Sequence, residues 1–167
     1  MFCPNCKAEM GKAFGRHQYR ECGLDNVWLV NWETYVCPGC DMRLPVLPDV
    51  EKITATIVDA LVRQEARLDG DAILFFRKGM QLTAVALAHI LGVNRVEISR
   101  WENNKVDIDP YLDFKLRLEA IERLLPSDQQ HDAKEEVMLI MHRAYKRNIA
   151  VSSTSIDLPH LTLAGCI

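Results

Sequence analysis

The sequence predicts a mainly α-helical chain headed by a small β-containing domain, and three observations lead there. Two C-x-x-C pairs, Cys3-Pro-Asn-Cys6 and Cys37-Pro-Gly-Cys40, bracket runs of strand character. Beyond residue 49 the apolar residues recur at helical spacing, which sets them on one face of each helix. Residues 81–102 then hold two short helical patterns joined at a glycine.

Thiolates two residues apart can turn toward one tetrahedral ion, and two such pairs complete a four-sulfur site with no open position. Cys3, Cys6, Cys37 and Cys40 are therefore expected to hold one structural zinc ion per chain. The 30 residues between Cys6 and Cys37 exceed the usual ~15 to 20, and an inserted β-hairpin accounts for the excess. Residues 17–22 and 27–36 read as its strands, with Gly23, Leu24, Asp25 and Asn26 as the turn. A redox-active C-x-x-C needs a βαβ setting that this sequence lacks. A disulfide framework suits a small secreted domain, whereas Met1 runs directly into a cysteine pair with no signal-peptide pattern. Cys22 and His17 are further candidate ligands, but both fall in the hairpin, where structural roles are expected. Cys166 is expected to be a free thiol of a cytoplasmic protein. Residues 1–46 thus form the zinc domain.

Pro45 and Pro48 favour extended backbone and mark its end. Asp49 can cap the helix that follows, in which Ile53, Ile57, Val58, Leu61 and Leu68 share a face before Gly70. Residues 47–69 are read as a linker helix, in preference to a coiled dimer contact. Residues 72–78 form the first helix of the next domain, with Ile73, Leu74 and Phe76 toward its core. Thr83 then precedes a new periodic run, so its hydroxyl can accept a first-turn N–H. Leu87, Ala88 and Leu91 supply the buried face, and Gly92 the left-handed residue that ends the helix. Asn94 caps a second helix whose Ile98 and Trp101 bury against the first, while Arg95, Val96, Glu97, Ser99 and Arg100 face outward.

Two amphipathic helices joined at a glycine also occur in proteins that never touch nucleic acid. As a helix-turn-helix, however, the second helix would enter a major groove of double-stranded DNA. Arg95 and Arg100 are the side chains best suited to bond guanine in bidentate fashion. Asn103, Asn104 and Lys105 follow and can anchor a phosphate.

Asp109 and Pro110 open a further helix, with apolar contacts from Tyr111, Leu112, Phe114, Leu118, Ile121 and Leu125 and an end at Pro126. The DNA-binding domain accordingly spans residues 70–126. Residues 131–147 read as a final helix, and residues 148–167 carry no motif. The region 127–167 has no assigned role beyond ordering on a partner or at a dimer interface. No run nears the ~20 apolar residues of a membrane span. The formal charge of −3 is unfavourable for a DNA binder, so local distribution matters. Between residues 77 and 105, Arg77, Lys78, Arg95, Arg100 and Lys105 oppose Glu97 and Glu102, a local +3. So small an excess places the burden of tight binding on a homodimer.

The segment LTAVALAHILGVNRVEISRWENNK (82–105) resembles the helix-turn-helix of the Xre/Cro repressor family, whose pattern runs roughly LTxxxLAxxLGVxxxxISRWExGK. Leu82, Thr83, Leu87, Ala88, Leu91, Gly92, Val93, Ile98, Ser99, Arg100, Trp101, Glu102 and Lys105 match it. Ala84 stands where family members often carry a glutamine that reaches phosphate or base. Asn104 replaces the usual glycine and tolerates left-handed backbone. Val85, Ala86 and Ile90 are apolar where the family is commonly polar, which predicts that this face packs on something.

With the CPxC and CPGC pairs upstream and RLDGDAILFFRK (67–78) between, approximately residues 1–125 resemble the MqsA/YgiT-type zinc-finger antitoxin family. The resemblance implies a λ-repressor-like helical domain and a homodimer that represses its own operon from a pseudo-palindromic operator. It also implies a zinc domain that binds a toxin protein. The expected DNA contacts are Thr83, Asn94, Arg95, Val96, Glu97, Ser99, Arg100, Asn103 and Lys105. Two other readings stay open: a stand-alone regulator without a toxin, and a protein-binding adaptor in which the helices are only a scaffold. An enzyme is not expected, since a hydrolytic zinc needs an open coordination position and no Ser-His-Asp or Cys-His arrangement follows from the spacing.

Overall fold

The computed structural model describes residues 1–46, 49–147 and 156–158 of the chain. They divide into two compact units, one built on a sheet and one on helices.

In the first unit, β1 (Gly11–Gln18), β2 (Val27–Val36) and β3 (Arg43–Pro45) form an antiparallel sheet in the order β1-β2-β3. A short β4 (Ile156–Leu158) runs parallel to β2 beside Val27, Trp28 and Leu29. Since β1 lines one edge of β2 along its length, β3 and β4 share the other edge at opposite ends. β4 is the described part of the expected C-terminal tail; Cys166 and the rest of that tail lie outside the described residues.

β2 falls where the sequence placed it. β1 does not: it runs from Gly11 to Gln18 instead of 17–22. Its first six residues are exposed, so GKAFGR has no inward face and no alternation to read. The strand is specified by its backbone ladder to β2. Tyr19 N–H donates to the Val27 carbonyl at 3.0 Å, and Cys22 falls in the connection, where Gly23 turns at φ 83°. On β2 the buried residues are Val27, Leu29 and then Trp32. Asn31, at φ 53°, forms a bulge where the register slips between Gly15 and His17. One extra residue there moves the inward phase by one position.

The helical unit holds six helices among the described residues: α1 (Val50–Arg63), α2 (Gly70–Gly79), α3 (Ala84–Leu91), α4 (Arg95–Glu102), α5 (Pro110–Leu124) and α6 (Ser127–Arg147). α1, expected as a linker, is an integral part of this unit. Its Ile53, Ile57, Val58, Leu61 and Val62 are buried, whereas a free linker would leave such a face to water. The chain beyond α1 is held by Arg117 of α5, itself 2% exposed. Its guanidinium donates to the carbonyls of Val62 (2.9 Å), Gln64 (2.6 Å) and Ala66 (2.6 Å) and to Asp113 Oδ2 (2.8 Å). Asp113 Oδ1 accepts the Leu68 N–H at 2.8 Å, so both charges are paired and hydrogen-bonded, as burial requires.

The same pair corrects the expected inner face of α5. The buried stripe is Asp113, Leu116, Arg117, Ala120 and Ile121, while Tyr111 is 60% exposed. A count of apolar side chains misses a stripe that has an ion pair at its centre. α6 begins directly after Pro126, earlier than residue 131, and its Ala133, Val137 and Ile140 are buried. Among the described residues, no helix is long and apolar enough to cross a membrane.

Candidate metal centre and nucleic-acid interface

The two cysteine pairs occupy equivalent turns. Cys3 N–H donates to Ala8 O (2.9 Å) and Lys7 N–H to Cys3 O (2.9 Å); Cys37 N–H donates to Met42 O (2.9 Å) and Asp41 N–H to Cys37 O (3.0 Å). In each turn the residue after the second cysteine is left-handed, Lys7 at φ 63° and Asp41 at φ 54°. The equivalent bonding aims both pairs of sulfurs at one point. All four Sγ atoms lie within 4.8 Å of one another, with Cys3–Cys40 at 3.5 Å and Cys6–Cys37 at 3.3 Å. Sulfurs held tetrahedrally at ~2.3 Å from one ion would stand about 3.8 Å apart, close to what the cluster presents. The four cysteines can bind one metal ion.

Around them Cys3, Met10 and Cys37 form a buried cluster, with Ala8, Tyr35, Met42 and Leu44 packed against it. Gly39 N–H points at Cys37 Sγ from 3.4 Å, and a Cβ at this glycine would stand 3.3 Å from Cys6 Sγ. A side chain at this position would press on the Cys6 sulfur.

The sulfurs titrate unequally. The Cys6 backbone N–H holds the Cys3 thiol down to about 6. The N–H of Ala8 favours the Cys6 thiolate, but Cys37 and Cys40 crowd against it and together push Cys6 up to about 12. Four thiolates cannot share so small a volume without a cation. Neither His17 nor Cys22 belongs to the cluster. His17 lies opposite Leu29 in the β1–β2 ladder, and Cys22 Sγ lies 3.9 Å from the Leu24 carbonyl.

In the helical unit the residues 81–102 adopt the expected local geometry. Thr83 Oγ1 accepts the Ala86 N–H at 3.1 Å. Gly92 is left-handed (φ 77°), and the N–H groups of Gly92 and Val93 both return to Ala88 O at 2.9 Å, ending α3 within one residue. α4 opens on a reciprocal cap: Asn94 Oδ1 accepts the Glu97 N–H and Glu97 Oε2 accepts the Asn94 N–H, each at 3.0 Å. Leu87, Ala88, Leu91, Ile98 and Trp101 are buried, and α3 packs on α4.

Of the expected contact residues, Arg95, Val96, Ser99, Arg100, Asn103 and Lys105 are exposed on and just after α4. Arg95, Arg100 and Lys105 make no ion pair among the described residues. Glu97, half-buried, is committed to its cap, Asn94 and Thr83 are engaged as caps, and Asn103 Nδ2 donates to Ser99 O at 2.7 Å. Of the three α3 residues expected to pack, Val85 is 61% exposed, while Ala86 and Ile90 are half-buried.

Two contacts that support α4, Arg77 with Glu102 and Gly70 with Asn104, are not readable from the sequence. Arg77 of α2 meets Glu102 with two bonds, Nε–Oε1 at 2.5 Å and Nη2–Oε2 at 3.0 Å, and its Nη1 donates to Leu82 O at 3.0 Å. That pairing raises the Arg77 pKa and removes one cation and one anion from the surface together. The local +3 is therefore unchanged and sits on Lys78, Arg95, Arg100 and Lys105 against Glu97. Gly70 brings the start of α2 against the end of α4, where Asn104 Oδ1 accepts its N–H at 2.7 Å. Asn104 has φ 53°, the left-handed backbone expected of a residue in a glycine's place.

Compared with protein-family models, curated proteins and solved structures, the chain matches none of them.

Proposed function

We propose that this chain is a sequence-specific DNA-binding transcriptional regulator, non-catalytic and cytoplasmic, whose N-terminal unit is held by one structural zinc ion. The observation that carries the reading is the split of α4: Ile98 and Trp101 are buried while Arg95, Val96, Ser99 and Arg100 stand exposed on its other side. Such a helix, fixed by a capping box at its entry and by Gly92 before it, suits insertion in a major groove as the second helix of a helix-turn-helix. Unpaired arginines supply direct readout of guanine, exposed Val96 suits a thymine methyl, and Lys105 a phosphate. Four sulfurs, with no other candidate ligand in the cluster among the described residues, suit zinc in a closed, non-catalytic site.

Arg100→Ala is expected to weaken binding to the DNA upstream of its own gene by ~1 to 3 kcal/mol and to relax sequence preference. A mobility-shift titration at fixed salt measures this, and an unchanged affinity would overturn the assignment. Elemental analysis should return one zinc per chain. The antitoxin role follows from the family resemblance and predicts that residues 1–46 capture a small neighbouring gene product; co-purification tests it and separates an antitoxin from a solitary regulator.

A further inference from the structure

We propose that the outer face of α6 is a homodimer interface on which a second copy of the helix packs antiparallel, about a two-fold axis near Leu139. The proposal deepens the DNA-binding reading by naming the surface that would join two subunits, and it rests on that reading for this use alone.

α6 turns Ala133, Val137 and Ile140 inward, where it packs on α5. The opposite face exposes Asp128, Asp132, Glu135, Met138, Leu139, His142 and Arg143. Met138 and Leu139, 56% and 57% exposed, are adjacent apolar side chains in an otherwise polar stripe. Charge is distributed about them with opposite signs. On this face Asp128, Asp132 and Glu135 precede them; Glu135 lies 3.4 Å from His131, Lys134 at the margin is bound to Glu122, and Asp128 and Asp132 make no ion pair among the described residues. After them the described part of the face carries His142 and Arg143.

A stripe that is acidic, then apolar, then basic is complementary to itself only when reversed. Parallel pairing would set carboxylate against carboxylate, whereas antiparallel pairing sets the acidic start of each face against the other copy's Arg143. Glu135 and Arg143 both lie four residues, about one turn, from Leu139, so a two-fold axis there brings each Glu135 to the partner's Arg143. Arg143 Nη1 is already shared with Glu65 at 2.8 Å, and the guanidinium keeps further donors for a second carboxylate. Such a contact is isologous and closed, the form required for two half-sites related by symmetry. With two apolar side chains from each copy it is a weak dimer, in keeping with a regulator that assembles on DNA.

Sedimentation equilibrium of the full chain tests it. Wild type should show a monomer–dimer equilibrium, and Leu139→Glu should weaken it by about tenfold or more. Glu135→Arg and Arg143→Glu should each weaken it, and the double variant should restore it, which loss of fold in either single variant would not produce. All three sites are exposed, and the Arg143–Glu65 pair that Arg143→Glu also removes is a surface pair, so the thermal midpoint by circular dichroism should move by no more than a few degrees. A chain monomeric at every concentration, a dimer indifferent to Leu139→Glu, or a double variant no better than the singles would overturn the proposal. DNA affinity measured on Arg100→Ala reports separately: a chain that dimerises through α6 but retards no DNA sinks the DNA reading and leaves this interface standing.

Discussion

At residue 70 a methyl group has nowhere to go. A Cβ there would lie 2.5 Å from the Trp101 carbonyl oxygen and 2.7 Å from that of Glu102, both backbone atoms of the last turn of α4. Gly70→Ala is therefore expected to destabilise the helical unit by about 1 to 3 kcal/mol or more, read as a fall in the denaturant midpoint with the slope unchanged. A shift under a few tenths would mean that the two helix ends are not in contact. The cysteines make a second residue-scale case. Cys6 is pushed up to about 12 and is protonated at neutral pH, so metal uptake must displace its proton. Apparent metal affinity should fall as pH falls, and calorimetry in buffers of different ionisation enthalpy should show protons released on binding. Equal enthalpies in all buffers would contradict this. The four cysteines were legible as a set because thiolate spacing alone specifies the site. Gly70, Asn104 and the Arg77–Glu102 pair were not legible as partners, because each depends on a contact between residues far apart in sequence.

Short helices have few intrahelical bonds, and α3 and α4 are eight residues each. Their ends therefore matter as much as their middles. Asn94→Ala should cost the helical unit ~1 kcal/mol and Glu97→Ala somewhat less. Because the two side chains make separate bonds to backbone N–H groups, the double variant should cost about the sum of the two singles. Single variants that leave the denaturation midpoint unchanged would show that the reciprocal cap does not form. Elements announced by local chemistry were readable to within a residue or two: Thr83, Gly92 and Asn94 bound α3 and α4, and β2 declares itself through aromatic and β-branched residues. β1 was misplaced because an all-exposed strand has no hydrophobic period. The inner face of α5 was misread because Asp113 and Arg117 look like surface residues until their partners are known.

On the scale of the whole chain, the two units draw stability from different sources. The helical unit has an extensive apolar interior that includes Phe76, Leu87, Ile98, Leu116 and Ile121, whereas the apolar cluster around the cysteines is small. Chelation of the metal should thus disorder the two cysteine turns, residues 1–10 and 37–42, and leave the helical transition nearly unmoved, as followed by NMR and far-ultraviolet circular dichroism; cysteine turns that stay ordered after complete metal removal would contradict the four-sulfur assignment. Arg117 adds a mechanical consequence within the helical unit. One guanidinium on α5 grips successive carbonyls of the chain leaving α1, and its partner Asp113 grips the amide of Leu68. A tension applied along the backbone at residue 50 would be carried sideways through this clamp into α5 before it reached α2. The short stretch after α1 behaves as a rivet, and the helices it joins should yield to pulling in a single event.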